Sequence, residues 1–470
     1  MQHNMKNSVG YAVQTIVGGC MKNVKIEDFG GKNDGKFDNT DAFSRAFADI
    51  QANGGGTLTV GKGVWCTGAI TLFSDTTLVL EEGAELSFIP EPERYTPVYT
   101  RWEGVECYAM HPLIYADKQK NVKITGKGTV NGNGKPWWEM RNAKRNKQFE
   151  PKESFELALA KLNPDYKNQP GGGGGREVQF LRPSFIEFIN CENVTLEGIT
   201  VKDSPFWTIH PLYTKGLTLK DLYVENPKDA PNTDGIDIDS CEDVKIIGCN
   251  VKVGDDGICI KSGSGPDGIR VNKPTRNVEI RDCKVQWSHG GIVIGSETAA
   301  PISHIVAENC DLSGTDRGIR IKSRRGRGGD IYDIQLKNLD MSDTLCPIAI
   351  NMYYKCGEKD PSSPLFSLDK QPVTSETPKI HDVHISNIKA TGCKASAGFI
   401  VGLPESPITG LTIKDCDIST DETSTESPMD SDMFFGLPEV SVKSFRVRNT
   451  PDAKFENVKI NGPKETFIYN

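Results

Sequence analysis

The sequence lacks several features that would assign it to a common class of protein. It contains no apolar run of about 18 residues or longer, so we expect no transmembrane helix. It has no Cys-x-x-Cys pair and no histidine-rich cluster, so we expect no zinc site. We also expect no other metal and no cofactor. Residues 1–20 carry few basic residues and an interrupted apolar stretch, which is not typical of a signal peptide.

The sequence also lacks a net positive charge. It carries 55 basic and 63 acidic residues, which gives a net charge of -8. An acidic protein has no general attraction for nucleic acid or for an anionic membrane, so we expect neither as a partner. An anionic ligand would need a local cluster of basic side chains.

What the sequence does contain is a short repeated pattern of two apolar residues separated by a variable one. From residue 194 to residue 334 the intervals are 23, 27, 34, 27 and 29 residues. Such periods, with short strands and no intervening helix, predict a parallel β-helix, and parallel crossovers are almost always right-handed. We therefore predict an all-β, single-domain, right-handed parallel β-helix. The pattern occurs at residues 122–124, 194–196, 217–219, 244–246, 278–280, 305–307, 334–336, 383–385, 411–413 and 458–460.

The N-terminal part of the chain differs from this repeat. We assign residues 1–24 to an N-terminal extension and residues 25–470 to the β-helix. Within residues 39–51, five apolar residues follow helical spacing, so we predict a helix that caps the solenoid. These residues are Ala42, Phe43, Ala46, Phe47 and Ile50.

Two long insertions interrupt the period, at about residues 91–118 and 134–184. Both contain tryptophan, whose ring can pack on the face of a sugar. We therefore predict that they form the walls of a cleft. The second insertion also contains a charged, helical piece that ends near Leu162 and a run of glycines at residues 171–175.

The 13 cysteines are an odd number in a chain too long to need disulfide bonds for stability. Five of them recur at one place in the repeat. We predict that these are small buried side chains stacked inside the solenoid rather than disulfides. They are Cys191, Cys249, Cys283, Cys310 and Cys416.

Four short runs share a turn, a glycine and an alternating strand. They cover residues 232–238, 254–260, 288–294 and 316–322. If they are successive rungs, equivalent positions lie about 4.8 Å apart, which would bring reactive side chains into one patch. A solenoid also favours Asp and Gly simply because they tolerate turns, but the combination of acids, a histidine and two cations favours a site. The patch would hold Asp234, Asp255, Asp256, His289, Arg320 and Lys322.

Three carboxylates without metal-type ligands suit acid and base catalysis at a glycosidic bond. Repulsion between neighbouring carboxylates raises the pKa of one of them, so one can hold a proton while another is ionised. The patch could provide the separation of about 6.5–9.5 Å that leaves room for a water in an inverting enzyme. Arg320 and Lys322, on one face of a strand, could bind a carboxylate of the substrate or could form salt bridges that neutralise the acids.

These motifs resemble the signature set of the polygalacturonases, glycoside hydrolase family 28. The set comprises Asn232-Thr233-Asp234, Gly254-Asp255-Asp256, His289-Gly290 and Arg320-Ile321-Lys322, in this order. The resemblance implies a solenoid of the pectin-lyase type. It also implies hydrolysis of α-1,4-linked galacturonic acid in pectin, with inversion and without a metal.

The resemblance also implies roles for individual residues. Asp255 would be the general acid, and Asp234 and Asp256 would hold and deprotonate the water. His289 would assist proton transfer to and from Asp255. The substrate would be bound by Asn232, Arg320, Lys322 and Tyr354. Tyr353, directly before Tyr354 in the sequence, is the alternative to it.

Residues 100–108 are similar to a segment of bacterial exo-acting members. We therefore predict release of single galacturonate units from the non-reducing end of a pectic polysaccharide or oligogalacturonide. Because intact pectin cannot enter a cell, the resemblance implies export to the periplasm or the extracellular space.

Three other functions remain open at this point. The enzyme could hydrolyse rhamnogalacturonan or xylogalacturonan. It could be a lyase of the pectate type, with calcium held by acids such as Asp237 and Asp239. It could instead be a non-catalytic, carbohydrate-binding solenoid in which the acids only form turns.

Overall fold

The structure is a computed structural model that describes residues 21–144, 150–167, 182–431 and 433–469. The chain winds into a right-handed parallel β-helix, which confirms the predicted fold. Each regular turn of the helix contributes one strand to a twelve-strand sheet and two strands, or one long strand, to a 21-strand sheet. The glycine run at residues 171–175 lies outside the described residues.

The twelve-strand sheet carries the functional residues discussed below. Its strands pair in parallel and in chain order along the axis of the solenoid. They are Ile70–Thr71, Ile114–Asp117, Ile186–Ile189, Ile209–Leu212, Ile236–Asp239, Ile258–Lys261, Ile292–Gly295, Arg317–Lys322, Cys346–Asn351, Gly398–Val401, Phe445–Arg448 and Phe467–Tyr469.

The 21-strand sheet forms the other faces of the solenoid. Its strands are Lys22–Lys25, Asp34–Asp38, Gly56–Val60, Gly63–Thr67, Thr76–Leu80, Ala84–Phe88, Lys120–Gly126, Thr129–Asn131, Glu192–Glu197, Thr200–Lys202, Lys215–Lys220, Tyr223–Glu225, Glu242–Ile247, Asn250–Lys252, Thr275–Arg281, Lys284–Gln286, Ile302–Asp311, Asp330–Ser342, Lys379–Cys393, Thr412–Thr420 and Lys454–Asn461. The apolar residues of the repeated pattern are direct neighbours here, because Val194 pairs with Leu217, Leu217 with Val244 and Val244 with Val278.

The core of the solenoid is a set of stacked apolar ladders. Ile236, Ile258, Ile292 and Ile319 occupy equivalent positions on four successive strands and are at most 2% exposed. The residues that follow them on each strand point to the opposite face, out of the solenoid, as the period of two requires. This alternation decides which side chains can reach a ligand.

The cysteines lie in the same interior. The five that recur in the repeat are buried, and every cysteine among the described residues is a free thiol. Cys310 pairs in register with Leu339 and Cys416 with Ile388, so a thiol occupies the place of an aliphatic side chain. The prediction of stacked, unbridged cysteines is confirmed.

The N-terminal end is closed by helix α1 (Thr40–Ala52). Its five predicted apolar residues are all buried, which confirms the capping helix. The strand Lys22–Lys25 already pairs with Gly56–Val60, so the solenoid begins slightly before residue 25.

The insertions add secondary structure outside the solenoid. The first contains an antiparallel hairpin of strands Pro97–Trp102 and Val105–Met110, hereafter the hairpin. The second contains α2 (Lys135–Lys144) and α3 (Ser154–Leu162).

The remaining helices are short. They are α4 (Gly265–Val271), α5 (Pro428–Ser431) and the 3-10 turns Ile26–Phe29, Pro92–Arg94 and Pro364–Phe366. Among the described residues, we find no helix that combines the length and the apolar character needed to cross a membrane.

Candidate active site

All eight side chains predicted for the site line one open cavity of about 400 Å³. The cavity lies over the outward face of the twelve-strand sheet, where several turns enter their strands. The residues that the structure brings together are Asn232, Asp234, Asp255, Asp256, His289, Arg320, Lys322 and Tyr354.

Glycine follows two of the acids because neighbouring turns pack too closely for a side chain. A Cβ atom on Gly235 would lie 2.4 Å from Cγ1 of Val251, and one on Gly257 would lie 2.3 Å from Cγ1 of Val285. These distances are shorter than any ordinary van der Waals contact. The glycines therefore let each turn lie against the solenoid.

The three carboxylates lie closer together than the sequence led us to expect. One oxygen atom each from Asp234, Asp255 and Asp256 lies within 4.8 Å of the others. We expected a separation of about 6.5–9.5 Å. The reason is that the acids come from two adjacent turns, whose spacing of about 4.8 Å fixes the distance.

Asp256 is held between the two predicted cations. Its Oδ1 accepts a hydrogen bond from Arg320 at 2.7 Å, and its Oδ2 accepts one from Lys322. Burial opposes ionisation, but the charges of Lys322 and Arg320 prevail and lower the pKa of Asp256. The salt bridges predicted as the alternative to binding a substrate carboxylate are therefore present, and Asp256 is ionised.

Asp234 has the opposite environment. Burial, followed by the negative charge of Asp255, raises its pKa well above the ordinary value, although Lys261 lies 3.9 Å away. Lys261 is itself buried and also contacts Asp237 at 3.4 Å and Glu297 at 2.9 Å. Lys261 and Glu297 were not predicted from the sequence, although Lys261 ends the strand that follows the paired acids and alternation turns its side chain outward.

His289 lies at the open side of the cavity, with its side chain 51% exposed. Its Nδ1 lies 2.6 Å from Asp316 Oδ2, and its backbone N–H donates to the carbonyl of Asp255 at 3.0 Å. The hydrogen bond with Asp316 raises the pKa of His289, and the charge of Asp255 acts in the same direction. These contacts therefore stabilise the protonated form of the histidine next to the acids.

The structure distinguishes the two adjacent tyrosines. Tyr354 lines the cavity, and the centre of its ring is 5.5 Å from the Arg320 guanidinium and 5.4 Å from Lys322 Nζ. Tyr353 is fully buried and points away, with its hydroxyl donating to the carbonyl of Ser367. Of the two tyrosines, the predicted Tyr354 is therefore the one that lines the cavity.

Asn232 is fixed by an arginine that the sequence analysis did not identify. Its Oδ1 accepts a hydrogen bond of 2.7 Å from Arg182, which is fully buried. Arg182 also donates to the carbonyl oxygens of Pro205 and Pro231. The amide of Asn232 is therefore held in one orientation at the edge of the cavity.

The hairpin is attached to the solenoid by buried polar contacts. Arg101 donates to Asp239 at 2.8 Å, and Thr100 donates to Glu187 at 2.5 Å. His210 lies between Glu187, at 3.0 Å, and Asp239, at 3.6 Å. All five side chains are almost fully buried, so the hairpin is held firmly over the sheet.

Asp237 and Asp239 were considered as calcium ligands for a lyase. Asp237 faces Lys261 at 3.4 Å, and Asp239 is paired with Arg101. Each carboxylate therefore already faces a cation of the protein. This arrangement does not favour calcium binding at these two residues.

Other side chains from the insertions and turns complete the cavity wall. Glu103 comes from the turn of the hairpin, Arg141 from α2, and Trp207 and Lys228 from turns of the solenoid. The sequence analysis expected walls from both insertions but did not single out these residues, because the repeat pattern does not extend into the insertions.

A solenoid with an open, polar cavity that contains three clustered carboxylates and several cations defines a class of carbohydrate-cleaving enzyme. Asp256, which is ionised, is suited to act as a base, and Asp234, whose pKa is raised, is suited to hold a proton. Cleavage of a glycosidic bond by water requires acids in these two states.

The chain belongs to glycosyl hydrolases family 28, whose model matches residues 173–431, and it is a glycoside hydrolase. It is 27% identical over 403 residues to a probable polygalacturonase of Vitis vinifera, covering 84% of this chain and 73% of the relative. A hyperthermoactive exopolygalacturonase from Thermotoga maritima has a similar structure, with a TM-score of 0.77, 30% identity and coverage of 94% and 93% of the two chains.

A family 28 exopolygalacturonase of Yersinia enterocolitica shares the fold. Its TM-score is 0.72 at 22% identity, with coverage of 95% of this chain and 77% of the other. This likeness concerns the fold alone.

Proposed function

We propose that this enzyme is a polygalacturonase that hydrolyses α-1,4-linked galacturonic acid in pectin. The observation that carries the proposal is the cavity in which three carboxylates lie beside Arg320 and Lys322. Uronate units bring a carboxylate to the site, and fixed cations compensate that charge. The family membership and the relatives described as polygalacturonases support the same substrate.

We assign the general acid to Asp255. It is the least buried of the three acids, so a leaving oxygen can reach it. Asp256, kept ionised by two cations, is suited to accept a proton from water. Oxygen atoms of Asp234 and Asp256 within 4.8 Å of each other can both accept hydrogen bonds of about 2.8 Å from one water molecule.

The raised pKa of Asp234 favours a shared proton in this group of acids. With Asp234 protonated, only one of the two water-binding acids carries a charge, which reduces repulsion at the site. His289, beside Asp255, would return a proton to the acid after each turnover.

We propose inversion at the anomeric carbon, as the family resemblance implies. The close spacing of the carboxylates does not by itself support inversion, because retaining enzymes have a separation of about 5–5.5 Å. The anomer of the first product, followed by NMR during hydrolysis of oligogalacturonide, decides the question. A β-configured product from the α-linked substrate is expected, and an α-configured first product would refute inversion.

We propose that the enzyme is exo-acting and releases single galacturonate units from the non-reducing end. The hairpin supports this, because Arg101 and Thr100 fix it across the sheet and Glu103 at its turn lines the cavity. The Thermotoga maritima relative, described as an exopolygalacturonase, supports it too. Product analysis over time should give monogalacturonate from the start, with little loss of viscosity, whereas early oligomers of mixed length would contradict exo action.

We propose that Arg320, Lys322, Tyr354 and Asn232 bind the substrate. The two cations already hold Asp256, so a uronate carboxylate would share them rather than replace that acid.

A panel of pectic substrates separates the remaining candidates. Polygalacturonate should be hydrolysed much faster than rhamnogalacturonan or xylogalacturonan. A lyase would instead give unsaturated products that absorb in the ultraviolet and disappear when a chelator is added. Because intact pectin cannot enter a cell, we also propose that the enzyme acts in the periplasm or the extracellular space.

A further inference from the structure

His289 lies between aspartates that come from the turns on either side of it. Its backbone N–H donates to the carbonyl of Asp255 on the preceding turn at 3.0 Å. Its Nδ1 lies 2.6 Å from Oδ2 of Asp316 on the following turn. Because successive turns are about 4.8 Å apart, the three residues form one row at the open side of the cavity. The proposed mechanism gives Asp316 no role.

The backbone of Asp316 is fixed by the turns on both sides of it. Its N–H donates to the carbonyl of Ser288 at 2.8 Å. Its carbonyl accepts hydrogen bonds from the N–H groups of Leu345 and Cys346 at 3.0 and 2.9 Å. An aspartate side chain has few rotamers, so a fixed backbone leaves its carboxylate little freedom to move. Asp316 therefore offers the imidazole of His289 a stationary acceptor.

The contact with Asp316 decides which ring nitrogen of His289 is available for proton transfer. Burial opposes ionisation of Asp316, but the hydrogen bond with His289 and the charge of Arg317 prevail and lower its pKa. An ionised carboxylate only accepts hydrogen bonds, so the hydrogen between the two side chains belongs to Nδ1. Within the described part of the chain, no residue forms a hydrogen bond with Nε2 of His289. Nε2 is therefore the nitrogen that can exchange a proton with Asp255 or with solvent.

Acidic groups dominate the surroundings of His289. The hydrogen bond with Asp316 raises its pKa most, burial lowers it, and the charges of Asp255 and Asp256 raise it further. Arg317 lies on the opposite side of the balance, since its Nη1 donates to the carbonyl of His289 at 3.4 Å. The charged groups that surround the ring are Asp255 and Asp256 on the preceding turn and Asp316, Arg317 and Arg320 on the following one.

We propose that Asp316 is a positioning residue, which fixes the imidazole of His289 and keeps a hydrogen on Nδ1 so that Nε2 passes protons to Asp255. This rests on the proposed function, in which Asp255 loses its proton to the leaving oxygen in each turnover. The imidazolium then gives its Nε2 proton to Asp255 and takes another from solvent. That proton replaces the one that Asp256 takes from the attacking water and releases. Asp316 acts through His289 and not on the substrate.

Titration of His289 by NMR tests the pairing without an assay of activity. His289→Gln assigns the signal, and in the wild type the pKa should lie above the ordinary value of about 6.5. Asp316→Asn, which is almost isosteric, should lower that pKa by about 1 unit because the negative charge is lost. Asp282→Asn is the matched control, because Asp282 belongs to the same turn as His289 and its 51% exposed side chain faces Arg281. It should leave the titration of His289 unchanged.

The pH profile of kcat shows whether the pairing serves the reaction. His289 must be protonated to return a proton, so the basic limb should move to lower pH by about 1 unit in Asp316→Asn. Asp316→Ala removes the acceptor and frees the ring, and it should also lower kcat about 10- to 100-fold with little change in KM. In a His289→Ala background, neither substitution of Asp316 should have a further effect on kcat.

A purely structural role of Asp316 predicts a different pattern. Both substitutions would then lower the melting temperature, leave the basic limb in place and lower kcat equally in the His289→Ala background. That result, or an unchanged titration of His289 in Asp316→Asn, would overturn the inference while the proposed function stands. If the wild type hydrolysed no galacturonan, the proposed function and the proton transfer would both be wrong, and the NMR titration would still decide the pairing.

Discussion

At the scale of the residue, two aspartates of one cavity have opposite shifts of their pKa because their neighbours differ. Burial and the charge of Asp255 raise the pKa of Asp234, whereas Lys322 and Arg320 overcome burial and lower the pKa of Asp256. The same functional group can thus hold a proton at one position and accept one at another.

The assignment of the general acid predicts the effect of Asp255→Asn. Turnover of polygalacturonate should fall about 10²- to 10⁴-fold with little change in KM, because proton donation to the leaving oxygen is lost. An aryl galacturonide with a good leaving group needs no such proton, so its hydrolysis should be much less affected. If Asp234→Asn rather than Asp255→Asn spares the aryl substrate, Asp234 is the acid.

The contacts of Asp256 predict a change in pH dependence for Arg320→Gln. Because the cation lowers the pKa of Asp256, its removal should raise that pKa, and the ionised form should then be lost at a higher pH. The acidic limb of the kcat/KM profile should move upward by about 1 pH unit. Arg320→Lys, which keeps the charge, should move it less, and an unmoved limb in both variants would contradict the role of Asp256.

At the scale of the element, the hairpin depends on a buried polar network. This network adds to apolar packing between the hairpin and the solenoid, such as the stacking of Trp102 on Phe206 with ring centres 4.0 Å apart. Its members are Arg101, Thr100, Glu187, His210 and Asp239. Removing one member of such a network leaves a buried charge without its partner, which is strongly destabilising.

His210 gives this network a pH dependence. Burial alone would lower its pKa, but the nearby carboxylate of Asp239, 3.6 Å away, and the hydrogen-bonded carboxylate of Glu187 prevail and raise it to about 9. The stabilisation is complete below the unfolded value of about 6.5 and is lost as the pH rises from there towards 9. The free energy of unfolding should therefore fall over this range by an amount on the order of 3 kcal/mol.

The corresponding measurement is denaturant unfolding of the wild type and of His210→Gln at several pH values. The variant should be less stable at pH 6 and should lose part of the decline between pH 6.5 and 9. His304→Gln is the control, because the His304 side chain is 54% exposed. Equal slopes for His210→Gln and the wild type would contradict the role of His210.

At the scale of the whole molecule, stability comes from stacked apolar ladders rather than covalent cross-links. The 12 described cysteines are free thiols, most of them buried among aliphatic side chains. Loss of a native disulfide typically costs about 2–5 kcal/mol, whereas a reductant finds no disulfide to break among the described residues. We expect the melting temperature to stay the same with and without reductant.

Thiol titration of the denatured protein gives an independent check. Without prior reduction it should detect at least the 12 described thiols. Fewer thiols, together with a lower melting temperature in reductant, would show that some of the cysteines are bridged.

Much of the fold and of the site could be predicted from the sequence, because in a repeat fold the same sequence pattern occurs in many turns. The period of the apolar residues predicted the solenoid, the helical spacing of residues 39–51 predicted α1, and equivalent positions in successive rungs placed six reactive side chains in one cavity. These inferences needed only the periods of strands and helices.

The contribution of the insertions to the site could not be predicted in this way, because their sequences follow no repeat. Arg141, Glu103 and Arg182 reach the site through folds of the chain that leave no periodic signal in the sequence. Lys261 did lie on a repeated strand, but nothing in its spacing indicated that it would be buried among three carboxylates.

The sequence by itself therefore determined the winding of the chain and which side chains point outward on the same face of the solenoid, because both follow from alternation along a strand. Only the tertiary structure decided the distances between the acids, the pairing of Asp256 with Arg320 and Lys322, and the shape of the cavity. Those properties depend on side-chain contacts between rungs and insertions that are far apart in the chain, and no local pattern encodes them.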